Sequence, residues 1–140
     1  MSFSQKSQRY VKEKGQFDYI IPPTIEKNPE MKLKFENLMS EISKVYGELT
    51  DAGILAEDAR AVLPNATSTS LVASLNLREL IHLANLRLCT RAQYEIRTMV
   101  KMMCDALVAE EPWLKPYLVP KCERLGFCDE DKSCGRMPTK

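Results

Sequence analysis

One histidine, no Cys-x-x-Cys pair and a formal charge of only +1 mark this 140-residue chain by what it lacks. A lone histidine, His82, is a general base only beside a nucleophile, so its default is a packed or surface residue. The five cysteines are an odd number in a core-forming sequence, which favours reduced thiols over a disulfide framework. Cys89 reads as an inert buried thiol. Cys122, Cys128 and Cys134 are separated by equal gaps, but three thiols need a fourth ligand, such as Cys104, and no metal site is expected. Twenty basic against nineteen acidic side chains exert no general pull on nucleic acid or anionic membranes. No run approaches the about eighteen apolar residues that span a bilayer, and the polar start has no signal-peptide core, so a cytoplasmic chain is expected.

What is present suits a folded piece with one core: 44% of the residues are apolar and 28% charged. Met1 to Ile21 reads as a loop and a short extended stretch ended by Pro22-Pro23. Met31, Phe35, Leu38, Ile42, Val45 and Leu49 alternate by four and three, which predicts an amphipathic helix over 29–50, closed by Asp51-Ala52-Gly53. A shorter helix is expected over 56–62, with Arg60 on its last turn before Pro64. Residues 67–75 suit a short strand or extended link. Asn76 with Glu79 reads as an N-cap opening a helix to Cys89, and Thr90 with Gln93 repeats the signal for a helix to Pro112. Its buried stripe is expected at Ala92, Ile96, Met99, Val100, Met103 and Leu107. The expected fold is α+β, helix-dominated with few short strands, over a domain of residues 1–120; residues 121–140 read as a cysteine-bearing tail without helical period.

Arginines thread the helices. On a wheel of about 100° per residue, Arg78, His82, Asn85 and Cys89 share one side of the 77–89 helix, with Arg87 opposite among Leu80, Leu83 and Ala84. An arginine cannot shed its charge, so each needs a carboxylate or a bound phosphate. By periodicity alone, Arg60, Arg78 and Arg87 neutralising Glu57, Asp58, Glu79 or Glu95 is the simpler reading.

The order Ala59-Arg60-Ala61-Val62-Leu63-Pro64, Asn76-Leu77-Arg78-Glu79-Leu80, Leu86-Arg87 and Ala92-Gln93-Tyr94-Glu95-Ile96 closely resembles the C-terminal half of the flavin-dependent thymidylate synthases. Ser2 to Tyr10 is similar to the Ser-x-Asn-Glu-x-Ser-x-Arg-Tyr end of that family's signature, with Ser4 and Gln5 in place of Asn and Glu. The resemblance covers residues 1–120 and implies methylation of dUMP to dTMP, with methylenetetrahydrofolate giving the carbon, reduced FAD the hydride and NADPH reloading the flavin. Carried over residue by residue, it implies dUMP contacts at Gln5, Ser7, Gln8, Arg9, Arg60 and Arg87, and flavin contacts at Ser4, Asn76, Arg78 and His82. Arg87 and Ser7 are the implied catalytic positions. Ser7 has no base beside it in sequence, so it reads as a ligand-positioning hydroxyl, with the backbone N–H groups of Ser7 to Arg9 offered to phosphate. The resemblance also implies a homotetramer.

That signature's first half, an Arg-His-Arg triplet, would fall before Met1. Residues 1–140 alone are therefore expected to bind flavin poorly. The alternative reading is a non-catalytic helical oligomerising or regulatory relative that keeps part of the nucleotide site. A nucleic-acid-binding module is disfavoured by the near-zero charge and by basic residues that are not interleaved with aromatics.

Overall fold

A computed structural model describes residues 1–11 and 15–140; the part of the expected N-terminal loop at 12–14 lies outside them. The molecule is α+β and helix-dominated, 51% helical with one two-stranded sheet. Its contacts divide it into two compact units, Phe3–Ala73 and Met1–Ser2 with Ser74–Lys140.

In the first unit, β1 (Ser2–Gln5) pairs with β2 (Leu71–Ser74), the period-two segment of the sequence, and Lys6 N–H extends the ladder to Ser70 O at 2.9 Å. The short α1 (Pro23–Glu26) starts with proline at a first-turn position, where a missing N–H costs nothing. α2 (Pro29–Asp51) starts the same way after Asn28, whose side chain accepts from Met31 N–H at 3.2 Å. Gly53, at φ 84°, turns the chain out of α2 in the left-handed region.

The helix is where the sequence put it, but its buried line is not. Met39, Ser43 and Tyr46 are buried, while Met31 and Leu38 are exposed. The buried line lies about one residue, or 100°, from the centre of the expected stripe. The cause is aromatic: Phe17 is buried, its amide donates to Ser43 Oγ at 3.4 Å, and its ring meets Tyr19, which packs on Phe35. These rings draw in the flank carrying Ser43 and Tyr46. α3 (Ala56–Ala59) continues into a 3₁₀ turn, Arg60–Val62, as expected before Pro64.

In the second unit, α4 (Leu77–Arg87) opens on Asn76, whose side chain accepts from Glu79 N–H at 2.9 Å. α5 (Tyr94–Glu110) opens on Gln93 rather than Thr90: the Gln93 side chain accepts from Glu95 and Ile96 N–H at 2.9 and 3.1 Å. Thr90 lies in the preceding turn, its carbonyl taken by the Arg97 guanidinium. Leu80, Ala84, Val100, Cys104, Leu114 and Leu118 form the core, flanked by Ile96, Met103 and Leu107. Of the expected α5 stripe, Met99 is exposed, and Cys104 lies on the line in its stead.

The tail is more ordered than its composition suggests. α6 (Lys121–Leu125) forms within it and is ended by Gly126 at φ 79°. A five-residue helix is too short to print a periodic stripe, which is why the sequence hides it.

Candidate functional site

The N-terminal candidates are organised by the turn after β1. Gln5 Nε2 donates to Thr69 Oγ1 at 3.4 Å, alongside the strand pairing. Arg9 N–H donates to Ser7 Oγ at 3.2 Å, and Val11 N–H to Ser7 O at 3.0 Å. The Arg9 amide, expected to face an anion, is thus committed to this turn. Ser4 and Gln5 are exposed; Ser7 and Gln8 are half-buried.

Two arginines 51 positions apart in sequence meet at one residue. Arg9 Nε donates to Glu57 Oε2 at 2.5 Å, and Arg60 Nε donates to the Glu57 carbonyl at 3.1 Å. Arg9 also stacks over the Tyr10 ring, 5.1 Å from its centroid. Glu57 therefore fixes two guanidinium groups while both side chains stay exposed. The sequence raised Glu57 only as a neutraliser of nearby arginines; its three-residue offset from Arg60 was the one available signal, and nothing local pointed to Arg9. Because Arg9 is engaged through Nε, its Nη groups remain for a second planar acceptor such as phosphate.

The remaining candidates sit on α4. Arg78, His82 and Arg87 are exposed, and among the described residues none of these side chains has a hydrogen-bond or ion-pair partner. Arg87 lies within about 40° of the buried Leu80–Ala84 line on the wheel, yet at the last turn it is exposed and not enclosed by the apolar stripe, while Arg78 lies on the far side of the helix. Their positions differ electrostatically. Arg87, on the last turn, meets the negative end of the helix dipole, whereas Arg78, in the first turn, opposes the positive end at a cost of ~0.3–1 kcal/mol. Helix stability does not explain Arg78.

Asn85, which shares the wheel side of Arg78 and His82, is turned inward. It is buried, donating from Nδ2 to Ile81 O at 2.6 Å and accepting from Arg124 Nε at 2.8 Å. Asn76 is likewise occupied through Oδ1 as the α4 cap, leaving its amide N–H₂.

The thiols also depart from expectation. Cys104, named as a possible fourth metal ligand, is enclosed in the apolar core, and that burial raises its thiol pKa above the ordinary 9.0. Cys89, expected to be buried, is half-buried and lines a cavity beyond α4.

Residues 1–113 match the model of the family described as thymidylate synthase complementing protein. The chain is 40% identical over 149 residues to a flavin-dependent thymidylate synthase of Nitratidesulfovibrio vulgaris, covering 99% of this chain and 60% of that protein. It is 40% identical over 138 residues to one of Thermococcus onnurineus, covering 92% and 56%. With one of Geobacter sulfurreducens the identity is 39% over 137 residues, covering 96% and 59%. The chain thus spans less than two thirds of the length of these relatives. The match includes β1 with its turn, the Arg60 turn and α4, the segments that carry every candidate residue. With that match across four fifths of its length, the chain belongs to the thymidylate synthase complementing protein family.

Proposed function

We propose that this chain takes part in flavin-dependent methylation of dUMP to dTMP, with methylenetetrahydrofolate as carbon donor and NADPH as reductant. The observation that carries the reading is the convergence of Arg9 and Arg60 on Glu57, which holds two guanidinium groups at the surface without consuming them. Guanidinium forks suit a phosphate monoester, and a carboxylate brace pre-pays part of their immobilisation.

Arg87 is the third proposed dUMP contact, with Gln5, Ser7 and Gln8 supporting the pyrimidine or its phosphate. An arginine beside a uracil carbonyl stabilises negative charge developing on the ring, the role we assign to Arg87. Ser7 positions ligand; its hydroxyl already accepts from Arg9 N–H, which orients it. Ser4, Asn76, Arg78 and His82 are the proposed flavin contacts, FAD being the proposed form. Arg78 and His82 fit such a group, since they are one helical turn apart, exposed and without a partner among the described residues. When bound, reduced flavin supplies the hydride that no side chain here can supply.

A homotetramer is the proposed assembly. It is supported by the uncovered apolar flank of α2, where Leu33 and Leu38 are more than half exposed.

The test is calorimetric titration of the chain with dUMP, then with FAD, for wild type and Arg60→Ala. Weakened dUMP binding with FAD binding unchanged is expected. Equal dUMP affinities for the two proteins would overturn the assignment of Arg60.

A further inference from the structure

Arg87 is the last residue of α4, and among the described residues its side chain has no partner. Only the backbone beneath it fixes the place from which its guanidinium reaches. Helix ends fray, because their last carbonyls lack partners within the helix, so the placement of an end residue depends on what holds the final turn from outside.

Two contacts hold this one. Asn85, two residues before Arg87, is buried; its Nδ2 donates back to Ile81 O at 2.6 Å, and its Oδ1 accepts from Arg124 Nε of α6 at 2.8 Å. Arg91, four residues after Arg87, pairs with Glu130 at 2.9 Å. Arg87 thus sits on a short stretch tied on both sides to the segment that follows Pro120. The ties are unequal. Arg91 and Glu130 are each close to half exposed, and an exposed pair is screened and contributes little. The Arg124 contact satisfies the oxygen of a buried amide: without it Asn85 Oδ1 is left in the interior with no donor, and the side chain or the turn that carries it must move to find one. Arg124 makes no ion pair among the described residues, so what Asn85 takes from it is an N–H donor. α6 is itself anchored, with Pro120 buried at its start, Lys121 paired with Asp129 and Glu123 with Arg136.

We propose that Arg124 is a positioning residue for dUMP: by holding Asn85 it fixes the last turn of α4 and with it Arg87, whose assignment to dUMP is the premise. Arg124 lies beyond residues 1–113, the part of the chain that the family model matches. A guanidinium displaced by about 1 Å loses the alignment of its donor fork on an acceptor. Arg78, nearly two turns nearer the start of α4, is placed by the Asn76 cap and stays where it is.

The experiment titrates dUMP and FAD calorimetrically into the full chain as wild type, Arg124→Ala, Arg124→Gln, Arg87→Ala and the Arg87→Ala/Arg124→Ala double variant, with circular dichroism checking the fold of each. Arg124→Ala is expected to weaken dUMP binding about 5- to 10-fold, with FAD affinity kept within about twofold. Glutamine carries its amide nitrogen as far along the side chain as Arg Nε but without the charge, so Arg124→Gln should keep most of the wild-type dUMP affinity. In the Arg87→Ala background, removing Arg124 should add no further loss, a coupling that neither a structural role nor a direct phosphate contact would give. Amide hydrogen exchange of the unliganded Arg124→Ala chain should quicken over residues 84–92 while α5 is unchanged. Wild-type dUMP affinity in Arg124→Ala beside a weakened Arg87→Ala, equal losses in Arg124→Ala and Arg124→Gln, equal losses of dUMP and FAD, additive losses in the double variant, or unchanged exchange at the end of α4 would overturn this role alone. Absence of dUMP binding by wild type, or wild-type affinity in Arg87→Ala, would overturn the assignment of Arg87 and this role with it.

Discussion

The two units solve the problem of a surface arginine in opposite ways. In Phe3–Ala73, Arg9 is braced by the Glu57 carboxylate and Arg60 by the carbonyl of the same residue. On α4, Arg78 and Arg87 have no partner among the described residues. A braced guanidinium is pre-oriented but must share its acceptor sites. A free one is mobile and keeps its full donor set for whatever anion arrives. The cores differ too: the second unit closes a continuous aliphatic cluster over α4 and α5, whereas α2 carries uncovered Leu33 and Leu38 beside its buried aromatic seam.

Removing the free arginines should have the largest effect. Arg87→Ala is expected to weaken dUMP binding about 10- to 100-fold, the range for losing charge-assisted hydrogen bonds, with little change for FAD. Arg78→Ala is expected to do the reverse. Equilibrium titration of both ligands against both variants decides it; equal losses of both ligands in both variants would indicate a folding defect instead.

Helix caps offer a control in which the two units should behave alike. Asn28 and Asn76 cap α2 and α4 through the same contact to the third residue on. Asn28→Ala and Asn76→Ala should each cost about 1 kcal/mol in denaturant unfolding. A much larger loss for Asn76 would mean that its amide does more than cap.

The brace itself predicts a smaller effect. Glu57→Gln keeps the carbonyl contact to Arg60 but removes the anionic partner of Arg9. Because this ion pair is solvent-exposed, dUMP affinity should fall only about two- to fivefold. Tighter dUMP binding would show that Glu57 competes with phosphate instead of presenting Arg9.

The smallest effect is alkaline and belongs to the second unit. Burial raises the Cys104 pKa, so the folded state holds this proton after the unfolded chain has released it. Its contribution is complete below about pH 9, the unfolded value, and is lost as pH rises through the folded value. Cys104→Ala should flatten the decline of stability above pH 9 relative to wild type, measured by urea unfolding at stepped pH.

Much of this architecture is legible along the chain. Apolar spacing of four and three fixes α2 as a helix, Asn76 and Glu79 mark the start of α4, and Gly53 marks a stop, because these signals act within one or two helical turns. Family motifs name the arginines for the same reason: they are contiguous strings. Tertiary structure decided what depends on distant partners. Phe17 and Tyr19 turned α2 onto its Met39–Tyr46 flank. Arg124, 39 residues away, holds Asn85 inward although it shares the wheel side of Arg78 and His82. Glu57 joined Arg9 to Arg60 across a separation no local pattern encodes, and four thiols spread over 46 positions met at one cavity while the fifth was sealed in the core. Local sequence determines where a helix begins and which face is apolar on average; only packing determines which neighbours arrive to bury a side chain, brace it or leave it free.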